Sequence, residues 1–446
     1  MPAAPPLPGN KSEPSPLDRS IALLVAGKRD EALALATAHV EADAAAPTGL
    51  LVLGKLLGAA GKSAEAKAVL DAAIERAIDA GLLALAVVAA SELKKAGGDG
   101  ARVAAIAAAF AKGSKRYVEG SAPPPRMGSV PPPPPGAGAG LDRAVKAAAA
   151  AVKALADAKA ARATPPKLTA PPLFSTIAAA PLQRLLEAFD VRMFDTGQRV
   201  VEQGAPGTEA FVLARGELEV VREADGRDPI SLAKLQPGSI FGEMALLSRA
   251  PRAASVVASR PSFVLVANRD ALDKVAEAEK SVATELASYT RRRMLQNLER
   301  TSPVLAAVSP AQRPALFERF VAKTDEKGKK LIEQDAEATG LFLIASGEVA
   351  AIRHEADEAL VLATLGPGDT AGEVALVLRR QANADVVATH PTVALFLPKS
   401  AFLSLIKDHP ILIAELYAVA IQRDDETANI VGGDTEEMTV DDFVVV

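Results

Sequence analysis

Two stretches of this chain repeat each other at a nearly fixed distance, and the repetition restricts the fold more than any other feature. Val201-Glu202-Gln203 matches Ile332-Glu333-Gln334, and Ala210-Phe211-Val212-Leu213 matches Leu341-Phe342-Leu343-Ile344. Gly216-Glu217 matches Gly347-Glu348 at the same offset of 131 (347 minus 216), and after a one-residue deletion Gly242-Glu243 aligns with Gly372-Glu373. The repeated pieces are short alternating strands divided by Gly, Pro and Asp, the pattern of a sandwich or barrel. From Leu173 onward, two copies of one antiparallel β domain are therefore expected.

The first copy carries a chemistry. Its run from Phe241 through Gly242, Glu243, Met244 and Ala245 to Pro251, Arg252, Ala253, Ala254, Ser255 and Val256 reads as a phosphate cradle. A glycine lets backbone approach a ligand closely, and the short apolar turn after it offers inward amide N–H groups. Glu243 can accept from a sugar hydroxyl. Arg252 offers a planar fork to two phosphate oxygens, where arginine outperforms lysine.

The run F-G-E-M-A-L-L-S-R-A-P-R-A-A-S-V is similar, without gaps, to the phosphate-binding cassette of cyclic nucleotide-binding domains. That resemblance covers about Leu173 to Asp425 and implies two eight-stranded antiparallel jelly rolls with flanking helices. It implies that Gly242 and Glu243 hold the ribose 2′-hydroxyl and that Arg252, with the amides of Ala253 and Ala254, holds the cyclic phosphate. Met244, Ala245 and Ser255 complete the expected ligand-binding set. The ligand is expected to be cAMP in preference to cGMP, because cGMP-selective members often place Thr or Ser after the cassette arginine and Ala253 stands there. In the family a helix, or a residue beyond it, closes over the base. The helix expected from about Leu272 to Glu299 offers Tyr289, Met294 and Leu295 for that lid, and the sequence does not choose among them.

The second copy departs from the pattern. Arg252 falls on Ala382, Pro251 on Gln381, Ala253 on Asn383 and Ser255 on Asp385. A phosphate would meet no arginine and would face the Asp385 carboxylate, which is repulsive in a partly dry pocket. Arg379 and Arg380 lie close in sequence but are expected to be solvated. This domain is expected to be a ligand-free scaffold or a partner surface.

Residues 17–112 are rich in alanine and leucine with helical spacing, giving four to six short helices. Gly27-Lys28-Arg29-Asp30-Glu31-Ala32 recurs as Gly61-Lys62-Ser63-Ala64-Glu65-Ala66, 34 residues on (61 minus 27), the period of tetratricopeptide repeats, which this region resembles. Leu23 and Leu57 are expected to fill one groove position in successive repeats, with Gly81 to Lys112 as a third pair or cap. Residues 113–172 read as a linker: Pro131 to Pro135 form an extended spacer and the glycines after them a joint. A helix over 141–162 interrupts it, with a thin stripe of Leu141, Val145, Val152 and Leu155 that need not be packed. The intended division is 1–16 disordered, 17–112 helical, 113–172 linker, 173–300 and 301–425 the two jelly rolls, and 426–446 an acidic tail ending in Phe443 and three valines.

Composition narrows the function. A net charge of −5 without a long basic run argues against nucleic acid, and the absence of cysteine removes disulfides and thiolate chemistry. The four histidines are scattered, so no metal and no cofactor beyond the nucleotide ligand are expected. No apolar run reaches the roughly 20 residues that cross a bilayer, and the start lacks a signal-peptide pattern, so no membrane partner and a cytoplasmic location are expected. Alanine and proline richness suggests a high-GC bacterial source. No catalytic constellation is present: Glu243 beside a lone arginine is a recognition pair, and an enzyme is not expected. A catabolite-activator-type regulator would need a helix-turn-helix, and none follows either β domain. The layout also resembles the regulatory subunit of cAMP-dependent protein kinase, but no Arg-Arg-x-Ser/Ala-like stretch precedes the first domain. The leading reading is a cyclic-nucleotide receptor that couples binding in its first jelly roll to an unidentified protein partner, met through the helical repeats or the second domain, with room for a homo-oligomer. The alternative is a structural adaptor whose jelly rolls no longer bind nucleotide.

Overall fold

The computed structural model describes residues 14–118, 140–222, 229–243, 251–306, 308–355, 358–408 and 410–432. They fall into two compact units, the first made of 14–205, 209–243 and 252–289, the second of 206–208, 251 and the described residues from Thr290 on.

The first unit opens with six helices: α1 Pro16–Val25, α2 Arg29–Ala42, α3 Pro47–Ala59, α4 Ser63–Asp79, α5 Leu83–Lys95 and α6 Arg102–Phe110. Gly27 and Gly61 end α1 and α3 in the same way, at φ +77° and +78°, each turn closed by the following lysine N–H on a leucine carbonyl five residues back, at 2.8 and 2.9 Å. The 34-residue repeat in sequence is thus a repeat in backbone geometry. Its side chains are less regular: Leu57 is fully buried, whereas Leu23 is only half-buried. α3 and α4 meet at Gly54, where an added Cβ would lie 2.6 Å from Leu70 Cγ and 2.7 Å from Val69 Cγ1. Both neighbours are buried and have nowhere to move. Gly54→Ala is therefore expected to cost about 1–3 kcal/mol, as overpacking does, read as a lower Tm of the full chain; an equal or higher Tm would contradict this helix contact.

The segment expected to be an unpacked spacer is largely packed. α7, Leu141–Ala160, lies against α2, α3 and α4. Its buried face is Ala144, Ala147, Ala148, Ala151 and Leu155, so of the stripe of larger residues only Leu155 is buried. Alanine is what lets the backbones approach, and Arg143 adds a bidentate pair with Glu41 at 2.9 and 2.6 Å. Arg116 reaches Asp79 at 3.0 Å and the Pro166 carbonyl at 3.0 Å, so the ends of the segment are tied back to the helices. Pro131 to Pro135 lie outside the described residues.

The first jelly roll follows α8, Ala179–Glu187, which packs on α6. Its strands are β1 Asp190–Phe194, β2 Arg199–Val201, β3 Glu209–Arg222, β4 Ile230–Leu235, β5 Ile240–Phe241 and β6 Ser255–Asn268. Eight strands were expected here, and six are found among the described residues because β3 and β6, 14 residues each, run through both layers. They pair along their length with register shifts between Leu213 and Leu218, where the ribbon bends. Gly216 at φ +102° makes the bend, because a Cβ there would strike Ser262 and the Pro261 carbonyl.

The helices dock on this ribbon. Asp18 of α1 is fully buried and forms ion pairs with Arg215 of β3, itself 4% exposed, and with Arg260 of β6. Ser15 Oγ caps α1 by accepting from Asp18 N, and the Asp18 carboxylate accepts in return from Ser15 N and Oγ. Helical region and first jelly roll are accordingly one unit.

The long C-terminal part of the second unit starts at Thr290. The single helix expected over 272–299 is two, α9 Arg269–Ala278 and α10 Lys280–Thr301, broken at Glu279. After α11 Pro303–Ala306 and α12 Arg313–Phe317 come the eight expected strands. These are β7 Val321–Asp325, β8 Lys330–Ile332, β9 Gly340–Ser346, β10 Val349–Glu355, β11 Glu358–Leu365, β12 Thr370–Ala371, β13 Asp385–Ala388 and β14 Thr392–Pro398. They form two four-stranded sheets, ordered β11-β10-β13-β8 and β12-β9-β14-β7. α13, Glu373–Val377, sits in the cassette, and α14 Lys399–Asp408 and α15 Pro410–Gly432 close the unit. α15 runs seven residues past the expected tail boundary at 425, to Gly432. Phe443 and the valines after it lie outside the described residues.

Candidate functional site

In the first jelly roll, three strand ends converge. β5 pairs with the start of β3 through Phe211↔Phe241, whose rings stack at 5.0 Å, and Gly242 leaves β5 at φ +75°. A Cβ on Gly242 would lie 2.8 Å from Arg252 Nη1 and 3.0 Å from the Phe211 ring, so only glycine lets the arginine reach its place. Backbone bonds fix Arg252: its N–H donates to Ala205 O and its carbonyl accepts from Gly204 N, both at 2.9 Å.

The Arg252 guanidinium is buried over the Phe211 ring, 5.5 Å from its centroid. Nη1 donates to Gly242 O at 2.9 Å and Nη2 to Glu209 O at 2.6 Å. Among the described residues, two of its five N–H donors are thereby used. Burial pushes its pKa down, and the charges of Glu209 and Glu243 partly restore it. Glu243 is buried as well, at 7% exposure. A buried cation beside a buried carboxylate at the mouth of a glycine turn is suited to a ligand with one negative charge and a hydroxyl donor.

The other predicted residues are distributed unevenly. Ala253 is exposed and Ala254 half-buried, between Arg252 and β6. Ser255 spends its hydroxyl inside the protein, accepting from Arg199 Nη1 at 3.1 Å and Gln203 N at 3.0 Å. Met244 and Ala245 lie outside the described residues. Of the three lid residues, Met294 and Leu295 pack into the core of the second unit with Leu298, Val304 and Leu305. An amphipathic helix exposes apolar side chains to whichever core is adjacent, and here the second domain takes them. Tyr289 is half-buried at the end of the first unit. Sequence reasoning missed Phe211 and the Glu209 carbonyl. Phe211 was visible only as a core position, and a carbonyl has no sequence signal.

The second cassette changes the reading of Asp385. Asp385 does not wait for a phosphate: it pairs with Lys330 Nζ at 2.6 Å and His354 Nε2 at 3.1 Å and accepts from Gln334 N at 2.8 Å. Lys330 stands 131 residues after Arg199 (330 minus 199), so Ser255 and Asp385 fasten the same loop in the two domains. Glu373 is paired too, though Ala382 still stands where the first cassette has Arg252. Arg423 of α15 pairs with the buried Glu373 at 2.6 Å and donates to Thr370 O at 2.5 Å. Arg379 and Arg380 are exposed, Arg380 pairing with Asp424.

Residues 191–279 and 323–409 each match the family of the cyclic nucleotide-binding domain. The chain carries two cyclic nucleotide-binding domains, the class that its paired jelly rolls and cassettes define. It is similar to the cAMP-dependent protein kinase regulatory subunit of Yarrowia lipolytica, at 28% identity over 213 residues, which cover 47% of this chain and 53% of that protein. It is also similar to the type II regulatory subunit of Drosophila melanogaster, at 28% identity over 52% of this chain and 59% of that protein. The chain spans about half the length of the curated relatives it matches. The regulatory domain of Toxoplasma gondii PKA with cAMP aligns at 20% identity over 56% of this chain and 92% of its own, with a TM-score of 0.28, too loose a superposition to carry an argument. Among the described residues no helix is long and apolar enough to cross a membrane, and no cluster of His, Cys, Asp or Glu is placed to hold a metal ion.

Proposed function

We propose that the first jelly roll binds one cyclic mononucleotide, cAMP in preference to cGMP, through Gly242, Glu243, Arg252, Ala253 and Ala254, and that the chain is a non-enzymatic receptor that passes binding on to a protein partner. The observation that carries this reading is Arg252, a buried guanidinium held beside Gly242 and Glu243 with donors to spare. The names of the relatives, regulatory subunits of a cAMP-dependent kinase, support cAMP as the ligand and a protein as the partner. Bacterial origin and a cytoplasmic location rest on composition, and the tetratricopeptide-like character of the helices on their 34-residue repeat. One observation favours the adaptor alternative: two Arg252 donors are committed to the Gly242 and Glu209 carbonyls.

Calorimetric titration of the full chain with cAMP and cGMP separates the two. One site, tighter for cAMP, is expected; no binding would support the adaptor, and equal or tighter cGMP binding would show that Ala253 does not set the preference. Coupling has a physical route, because β3 carries Glu209 and Phe211 at the site and Arg215 at the helical docking contact. cAMP is therefore expected to slow hydrogen exchange in α1 as well as around Arg252. Protection confined to 204–256 would mark a passive binder.

A further inference from the structure

The helical region is covered in two places: α1 and α5 meet β3 and β6, and α7 lies along α2, α3 and α4. Where α7 lies, its cations meet carboxylates that the 34-residue repeat sets out. Glu41 of α2 and Glu75 of α4 stand 34 residues apart (75 minus 41), as Gly27 and Gly61 do. Arg143 pairs with Glu41 at 2.6 Å and Lys159 with Glu75 at 2.5 Å. These two cations are 16 positions apart (159 minus 143), roughly 24 Å along a helix. Arg162, just past the helix end, takes Asp79 at 2.5 Å. Between the charges the seam is alanine with one large side chain, Leu155.

Such a contact selects its helix sharply and holds it loosely. An alanine buries one methyl group, so the seam stabilises far less than a leucine seam, and Leu141, Val145 and Val152 are only half-buried. The side chains of Arg143 and Glu41 keep 36% and 38% exposure and that of Lys159 keeps 50%, so these pairs are weak and screened by salt. Departure of α7 strands no buried charge, because Glu75 keeps Arg102 at 3.6 Å and Asp79 keeps Arg116 at 3.0 Å. The chain on either side of α7 is pinned separately, Leu168 N donating to Arg116 O at 2.7 Å and Val118 N to Leu168 O at 3.0 Å. Alanine and lysine also favour helix away from any surface. α7 can thus leave as a helix while its neighbours stay folded.

We propose that this face of α2 and α4 is a docking site for a partner protein's helix with an alanine seam and a basic residue at each end, and that α7 occupies it in cis as a built-in competitor. A helix with acidic ends is excluded by Glu41 and Glu75, and one with a bulky seam by overpacking. Tethering gives α7 a high effective concentration, so the site opens only to a helix that outbids it. The inference deepens the reading of the chain as a receptor with a protein partner. Its test contains no nucleotide, so its failure leaves cAMP binding in the first jelly roll untouched.

The test titrates the full chain with a fluorescent peptide of residues 140–163. In the wild-type chain the tethered α7 competes with it. Arg143→Ala combined with Lys159→Ala in the protein loosens α7 and should tighten peptide binding roughly 3- to 10-fold, the effect of two exposed ion pairs. A peptide carrying Ala147→Leu and Ala151→Leu, and another carrying Arg143→Glu and Lys159→Glu, should each bind the double variant roughly 10-fold more weakly or worse. Hydrogen exchange needs no variant: α7 should exchange faster at roughly 1 M salt than at low salt, with α4 unchanged. Absence of peptide binding to the double variant up to about 1 mM, equal binding of the bulky or the acidic peptide, or α7 amides as slow as those of α4 at both salt concentrations would each overturn the proposal. So would a wild-type dimer in sedimentation that the peptide dissociates, since the occupant would then be α7 of a second copy.

Discussion

Asp18→Ala is expected to destabilise the first unit by about 3–5 kcal/mol, the effect of breaking a buried ion pair by removing one partner. Arg215 is almost wholly buried, and without Asp18 its charge is left to the Pro261 carbonyl, to which Nη1 donates at 2.6 Å. Arg260 is half-exposed and can turn to water. Asp18→Leu combined with Arg215→Met should recover most of the loss, because replacing both charges removes the desolvation as well as the attraction. Urea unfolding of the full chain reads both variants. A cost under about 1 kcal/mol for Asp18→Ala would mean that the contact behaves as a surface pair.

The same carboxylate sets a pH dependence. Burial alone would raise the Asp18 pKa, but Arg215, with bonds from Arg260 and Ser15, more than reverses this and leaves it below the usual 3.8. A depressed carboxyl contributes stability above its unfolded pKa and loses it as pH falls through the folded value. The first unit should therefore lose stability below about pH 4, and Asp18→Ala should flatten that limb. His39 acts earlier: burial pushes it below its ordinary 6.5, so the unfolded chain takes up the proton first and stability begins to fall below that value. His39→Gln should remove the slope near pH 6 and leave the acid limb.

Arg252→Ala is expected to weaken cAMP binding roughly 10- to 100-fold, from the loss of charge-assisted bonds worth about 1.5–3 kcal/mol. It also leaves the Gly242 and Glu209 carbonyls without donors, so a stability loss of about 1–3 kcal/mol accompanies it. Arg252→Lys separates charge from geometry: one ammonium cannot serve two carbonyls and a phosphate as a fork does, and affinity should fall between wild type and alanine. Gly242→Ala should mimic the arginine variants without touching the charge, because its Cβ meets Nη1 at 2.8 Å. Undiminished cAMP affinity in Arg252→Ala would remove the site from the first cassette altogether.

The duplication, the glycine turns and the first cassette were legible because each is a local pattern: alternation sets strands, a left-handed turn selects glycine, and Gly-Glu with a following Arg is contiguous. The 34-residue spacing of Gly27 and Gly61 became two turns of equal geometry for the same reason. What tertiary structure alone decided are the pairings between distant residues. Asp18 was singled out by nothing in the sequence, and only the fold brings it to Arg215 and to Arg260, 242 residues away. Arg423 looks like one charge on a polar helix until α15 carries it to Glu373. Met294 and Leu295 faced two domains in sequence, and packing gave them to the second. α7 carries a thin stripe of large residues, yet it buries mainly alanines, since close approach of backbones depends on what the facing helices present. Local rules act within a few residues, whereas a buried charge or a helix face is assigned by whichever surface desolvates it.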